Sequence, residues 1–136
     1  MSPRELCEEG YRLLEARRLA DALGAFEIAM ALRPDCEAPP LGIAHVRFAE
    51  GRLMEAGAGL RSALQRMPWS AALHATLAEV HLARGRVGEA REALAAARAT
   101  NDDVSAQALV FALEEALSCG ALGLRPPEKA ASPRSA

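Results

Sequence analysis

Apolar side chains recur along this chain with helical spacing, and the pattern returns at a fixed offset. Shifting the sequence by 34 positions superposes Ala22, Ala56 and Ala90, and also Ala29, Ala63 and Ala97. Phe26 then falls on Leu60 and Leu94, Gly10 on Ala44 and Ala78, and Leu19 on Leu53 and Val87. Asp21 falls on Glu55 and Glu89, and Pro34 on Pro68, with Asp102 in the third copy. Ala22, Phe26 and Ala29 are four and three residues apart, which places them on one helix face. Gly51-Arg52 and Gly85-Arg86 divide the second and third copies, where a glycine can end a helix in the left-handed conformation. Arg17-Arg18 stands at the same place in the first copy. Pro34 and Pro68 interrupt the chain after each second helix. The pattern predicts helices at residues 3–16, 20–32, 37–50, 53–66, 71–84 and 87–100.

The small residues have a steric reason. Ala22, Ala29 and their equivalents lie where the two helices of a hairpin cross, and anything larger than a methyl would push the axes apart. Phe26, Leu60 and Leu94 fill the wider gaps beside them. A period of 34 residues with small and large apolar side chains at fixed offsets resembles the tetratricopeptide repeat. The resemblance covers residues 3–104. The family pattern W-x2-L-G-x2-Y, A-x3-F and P is matched best in its second half. Leu6, Pro40 and His74 stand where it has Trp, and Leu13, Arg47 and His81 where it has Tyr. The resemblance implies an all-α, right-handed solenoid of three helical hairpins, with repeats at about 3–36, 37–70 and 71–104.

A seventh helix is expected at 104–118, closing a domain that spans 1–119. Ala108, Phe111 and Ala112 continue the register of His74, Leu77 and Ala78, so that face is expected against the third hairpin. Residues 120–136 follow with Pro-Pro, small residues and isolated charges, which cannot bury a face. They are expected to form a flexible Pro/Ser/Ala tail.

Composition narrows the function classes. A formal net charge of −2 offers no general attraction to phosphate backbones or anionic lipid, and the arginines are interspersed with acids. Neither nucleic acid nor membrane is an expected partner. Every basic residue except Lys129 is arginine, the mark of a GC-rich, bacterial genome. The opening MSPRELCEEGYR carries acids where a secretory signal has an apolar run, so a cytoplasmic location is expected. Cys7, Cys36 and Cys119 form no C-x-x-C pair and read as thiols without a disulfide or zinc role. His74 and His81 share a helix face but lack further ligands nearby, so packing is expected of them and no metal. No phosphate loop, H-E-x-x-H or G-x-S-x-G occurs, and the acidic pairs Glu8-Glu9 and Glu114-Glu115 splay around their helices. Neither an enzyme nor a cofactor is expected.

The resemblance also implies where function lies, because the first helices of successive hairpins line a concave groove in that family. The side chains it places there are Arg4, Cys7, Tyr11, Leu14, Glu15, Leu41, His45, Phe48, Ala49, Ala75, Glu79, Leu82 and Ala83, then Leu109 and Leu113. Tyr11, Leu14, Leu41, His45, Phe48, Glu79, Leu82, Leu109 and Leu113 are the candidate peptide-binding set. An apolar strip of this kind suits an amphipathic helix or an extended apolar segment of another protein. Turned by a residue or two, the same side chains would be core. Family members that clamp the acidic C-terminus of cytosolic heat-shock chaperones use Lys, Asn and Arg. Cys7, Tyr11, Gly42, Ala72 and Thr76 stand at those positions here, so no such carboxylate clamp is expected.

Two functions remain open from sequence. One is an adaptor or scaffold in a bacterial assembly. The other is a cytosolic chaperone, since the size and closing helix resemble chaperones of type III secretion translocator or needle proteins. A regulatory subunit of a separate enzyme is a third class. Deleting residues 121–136 is expected to leave the thermal midpoint unchanged, and a fall of many degrees would mean that this segment buries a face after all.

Overall fold

A computed structural model describes residues 1–100 and 104–119. The helices are α1 Pro3–Glu15, α2 Leu19–Leu32, α3 Ala38–Ala49, α4 Leu53–Arg66, α5 Ala71–Ala83, α6 Val87–Thr100 and α7 Val104–Cys119, with no strand among the described residues. The expected tail at 120–136 lies outside them.

Local chemistry sets the helix ends. Ser2 and Glu5 form a capping box on α1: Ser2 Oγ accepts from the Glu5 amide at 3.1 Å, and the Ser2 amide donates to Glu5 Oε1 at 2.8 Å. Each first helix of a hairpin ends in the same way. The amides of Arg18, Arg52 and Arg86 donate to the carbonyls of Leu13, Arg47 and His81 at 2.9, 2.8 and 2.8 Å. The amides of Arg17, Gly51 and Gly85 donate to Leu14, Phe48 and Leu82, each at 3.0 Å. This is the Schellman pattern, and it needs a left-handed residue at its centre. Gly51 and Gly85 supply it with φ of 79° and 77°. Arg17 adopts φ of 63° without that freedom, at a cost of ~1–2 kcal/mol.

The hairpins α1–α2, α3–α4 and α5–α6 stack in order, and α1, α3, α5 and α7 lie side by side on one face. Ala22, Ala29, Ala56, Ala63, Ala90 and Ala97 are all buried at the crossings, and Phe26, Leu60 and Leu94 fill the spaces between. Each core cluster combines one hairpin with the first helix that follows. Val46 closes the first cluster, Leu73, Leu77 and Val80 the second, and Val110 and Leu113 the third.

The first cluster is the tightest. The Phe26 ring is wedged between Gly10 of α1 and Gly42 of α3. A Cβ added at Gly10 would lie 2.7 Å from Phe26 Cζ, and one at Gly42 would lie closer still. The later copies hold a leucine in place of Phe26, and there Gly10 is replaced by Ala44 and Ala78. Larger filler and smaller walls thus go together.

The seventh helix departs from the expected register. Ala108, Phe111 and Ala112 are exposed, Phe111 at 65%. Ala106, Val110 and Leu113 are buried instead, with Leu109 and Leu117 packed beside them. In the repeats the face carrying Ala44 or Ala78 packs on the second helix of its own hairpin. Helix α7 instead docks on α5 and α6 through its other face.

Gly42→Ala is expected to cost ~1–3 kcal/mol by overpacking against Phe26. Adding Phe26→Leu should recover part of that loss, because the two substitutions share one contact. Urea titrations of both single variants and the double variant measure this. Strictly additive losses would mean that the glycine serves something other than the ring.

Candidate functional site

The 34-residue period puts one helical position in register across α1, α3 and α5, where it holds Tyr11, His45 and Glu79. Tyr11 is anchored from below, its ring meeting the Phe26 edge at a centroid distance of 5.0 Å and an interplanar angle of 75°. Its hydroxyl lies 3.0 Å from His45 Nδ1. Burial pushes the phenol up to about 12, with the neighbouring Cys7 adding to the rise. Burial also holds His45 below its ordinary 6.5. Both groups are therefore neutral near pH 7, and the pair is a neutral hydrogen bond whose donor is set by the imidazole tautomer.

Beside this pair is a pocket of about 230 Å³ lined by Leu14, Arg17, Ala44, His45, Phe48, Ala49, Thr76, Glu79 and Val80. Leu14 comes from the last turn of α1, Phe48 from the last turn of α3, and Glu79 from the middle of α5. Phe48 is 41% exposed. Glu79 is half-buried, and burial raises its carboxyl above the usual 4.5. Tyr11 also lines a second pocket, of about 510 Å³, together with Pro3, Cys7, Cys36, Ala38 and Pro39. Burial raises the Cys7 thiol, and Cys36 and Glu8 add to that.

Of the nine candidate residues, Leu14, His45, Phe48 and Glu79 share the smaller pocket, and Tyr11 joins it through His45. Leu41 is half-buried against the second core cluster. Leu82 and Leu113 do not line a groove. They are 3% and 8% exposed within the third cluster, and Leu109 packs half-buried against it. The reason is α7, which covers the inner side of α5 where a further repeat would continue the row. Arg17 and Thr76 line the pocket although neither belongs to the candidate set. Thr76 was legible, since it precedes Glu79 by one helical turn. Arg17 was not, because its position follows from the left-handed turn.

The description of the tetratricopeptide repeat family matches residues 47–116. No curated protein matches the chain. Among solved structures, the type III secretion translocator chaperone SycD of Yersinia enterocolitica superposes with a TM-score of 0.74 at 18% identity. The superposition covers 91% of this chain and 95% of that one. At that identity the likeness is one of fold.

His45 sets a sign for the pH dependence of stability. Its folded-state pKa is lowered, so on acidification the unfolded chain takes up the proton first. The stabilisation is complete above 6.5 and is lost as the pH falls through that value toward the folded pKa. His81, also lowered by burial, acts in the same sense. Glu79, raised, acts oppositely and at lower pH. Urea midpoints are expected to fall between about pH 7.5 and pH 5.5. His45→Gln should make that decline shallower; an unchanged slope would assign it to other groups.

Proposed function

Because the chain belongs to the tetratricopeptide-repeat family, we propose that it is a binding module that takes a segment of another polypeptide on the inner face formed by α1, α3 and α5. In this reading it is an adaptor or scaffold within a bacterial assembly. The observation that carries it is Phe48. Its ring is 41% exposed and, unlike the more exposed Ile28, Met54 and Trp69, forms part of the wall of the smaller pocket on the inner face. A half-exposed aromatic beside Leu14 and Val80 is the kind of anchor that gains most from a partner's apolar side chain, ~2 kcal/mol or more. Leu41, Leu109 and the second pocket beside Cys7 and Cys36 would extend the surface on either side.

A second reading is favoured by the likeness to SycD, which extends over nearly the whole of both chains. The chain would then be a cytosolic chaperone that holds a type III secretion translocator or needle protein soluble before export. This rests on fold-level analogy.

A photo-crosslinking amino acid in place of Phe48 is expected to join the chain to a defined partner in its own cells, while the same group in place of the exposed Ile28 of α2 does not. Adducts at Ile28 but not at Phe48 would move the binding surface off the inner face. The two readings separate on the captured protein. A partner that precipitates when produced alone and stays soluble with this chain supports the chaperone, and one that is soluble by itself supports the adaptor.

A further inference from the structure

Four carboxylates among the described residues are half-buried: Glu9, Glu37, Glu79 and Glu114. Three have partners. Arg12 pairs with Glu9, the Ser70 hydroxyl donates to Glu37, and Arg98 reaches both oxygens of Glu114 at 2.8 and 2.9 Å. Glu79 alone has neither a hydrogen bond nor an ion pair among the described residues. Arg47 and Arg52 pair with Glu50 and Glu55, and Arg86 with Glu89, while Arg84 of the α5–α6 turn forms no ion pair with Glu79. Arg17 stands on the lip of the same pocket but forms no ion pair with Glu79. Its side chain is exposed, so water screens its charge.

The Glu79 carboxylate keeps some contact with water, but half-buried and without a partner it is less well solvated than a free one, which costs free energy in the unbound protein. Much of the wall around it is apolar, from Leu14, Ala44, Phe48, Ala49 and Val80, with Thr76 and Arg17 completing it. His45 is neutral and already engaged with Tyr11. The pocket therefore combines walls for an aliphatic stem with one carboxylate that has no protein partner, and lysine and arginine have the complementary shape, a long apolar stem ending in a cation. The Phe48 ring adds a π-face for that cation.

We propose that this pocket receives a lysine or arginine side chain of the bound polypeptide, with the stem beside Phe48 and the cation paired to Glu79. The proposal rests on the inner-face binding reading above and adds the chemistry of what is bound. The occupant is an apolar segment that carries one basic residue. Apolar neighbours supply contact area, and the basic residue fixes register, because a shift along the groove would leave Glu79 unpaired.

The test uses a random dodecapeptide library displayed on phage and selected against the full chain and its Glu79→Gln variant. The wild-type selection is expected to yield an apolar consensus with lysine or arginine at one position. That preference should vanish against Glu79→Gln while the apolar positions persist. A synthetic copy of the consensus peptide should bind wild type about tenfold or more tighter than its norleucine analogue. This second comparison needs no protein variant, so it stands even if Glu79→Gln folds poorly. An apolar consensus without a basic position, or a basic preference that survives Glu79→Gln, overturns the role of Glu79 and leaves the binding surface intact. A basic preference that appears only after Arg17→Ala overturns it too, by making Arg17 the internal partner of Glu79. No consensus at all, or one whose peptide binds Phe48→Ser as well as wild type, overturns the inner-face reading itself.

Discussion

Two helices can approach closely only where nothing larger than a methyl group stands between them. Six alanines meet that condition here, two in each hairpin, and all are buried. Every other spacing in the solenoid follows from those crossings. They leave gaps that one bulky residue per hairpin must fill, and in the first hairpin that residue is Phe26. Its ring is admitted only because Gly10 and Gly42 present no Cβ. Gly42 belongs to the next hairpin, so the ring ties two repeats together. It also supports Tyr11 from beneath, which brings the Tyr11 hydroxyl to His45 on the neighbouring helix. A packing constraint deep in the core thus fixes polar geometry on the inner face.

The inner face is tuned by burial rather than by salt bridges. The ion pairs between Arg4 and Glu8, Arg18 and Asp21, and Arg86 and Glu89 lie on exposed surface and contribute little to stability. In the row on α1, α3 and α5, loss of water raises the Tyr11 phenol and the Glu79 carboxyl and lowers His45. Tyr11 and His45 satisfy one another as neutral groups. Glu79 has no such neighbour. A half-buried carboxylate without a partner opposes stability in the free chain, and on the proposed reading a bound cation offsets that cost.

Stacked hairpins always end with an uncovered face, and α7 meets that need at one end. It lies beside α5 in the place that the first helix of another repeat would take, and it buries Val110 and Leu113 against α5 and α6. The same docking removes Leu82 from the inner surface. On the proposed reading, capping confines the binding face to the span from α1 to α5, where the smaller pocket lies.

The helices, their order and the hairpin pairing were legible in the sequence because they depend on local period and on residues at fixed offsets. Alanine at a crossing and glycine in a left-handed turn each carry their reason in the residue type. The inner row at Tyr11, His45 and Glu79 was legible for the same reason, being one position repeated every 34 residues. The face that α7 buries was not. A helix rich in Ala and Leu has a broad apolar surface, and Ala108, Phe111 and Ala112 look as fit for burial as Ala106, Val110 and Leu113. Only the shape left by α5 and α6 decided between them. That choice also decided that Leu82 and Leu113 are core, that Phe111 is exposed, and that the pocket wall ends at Val80. Period and residue size are local properties, whereas which of two equally apolar faces loses its water depends on what else packs there.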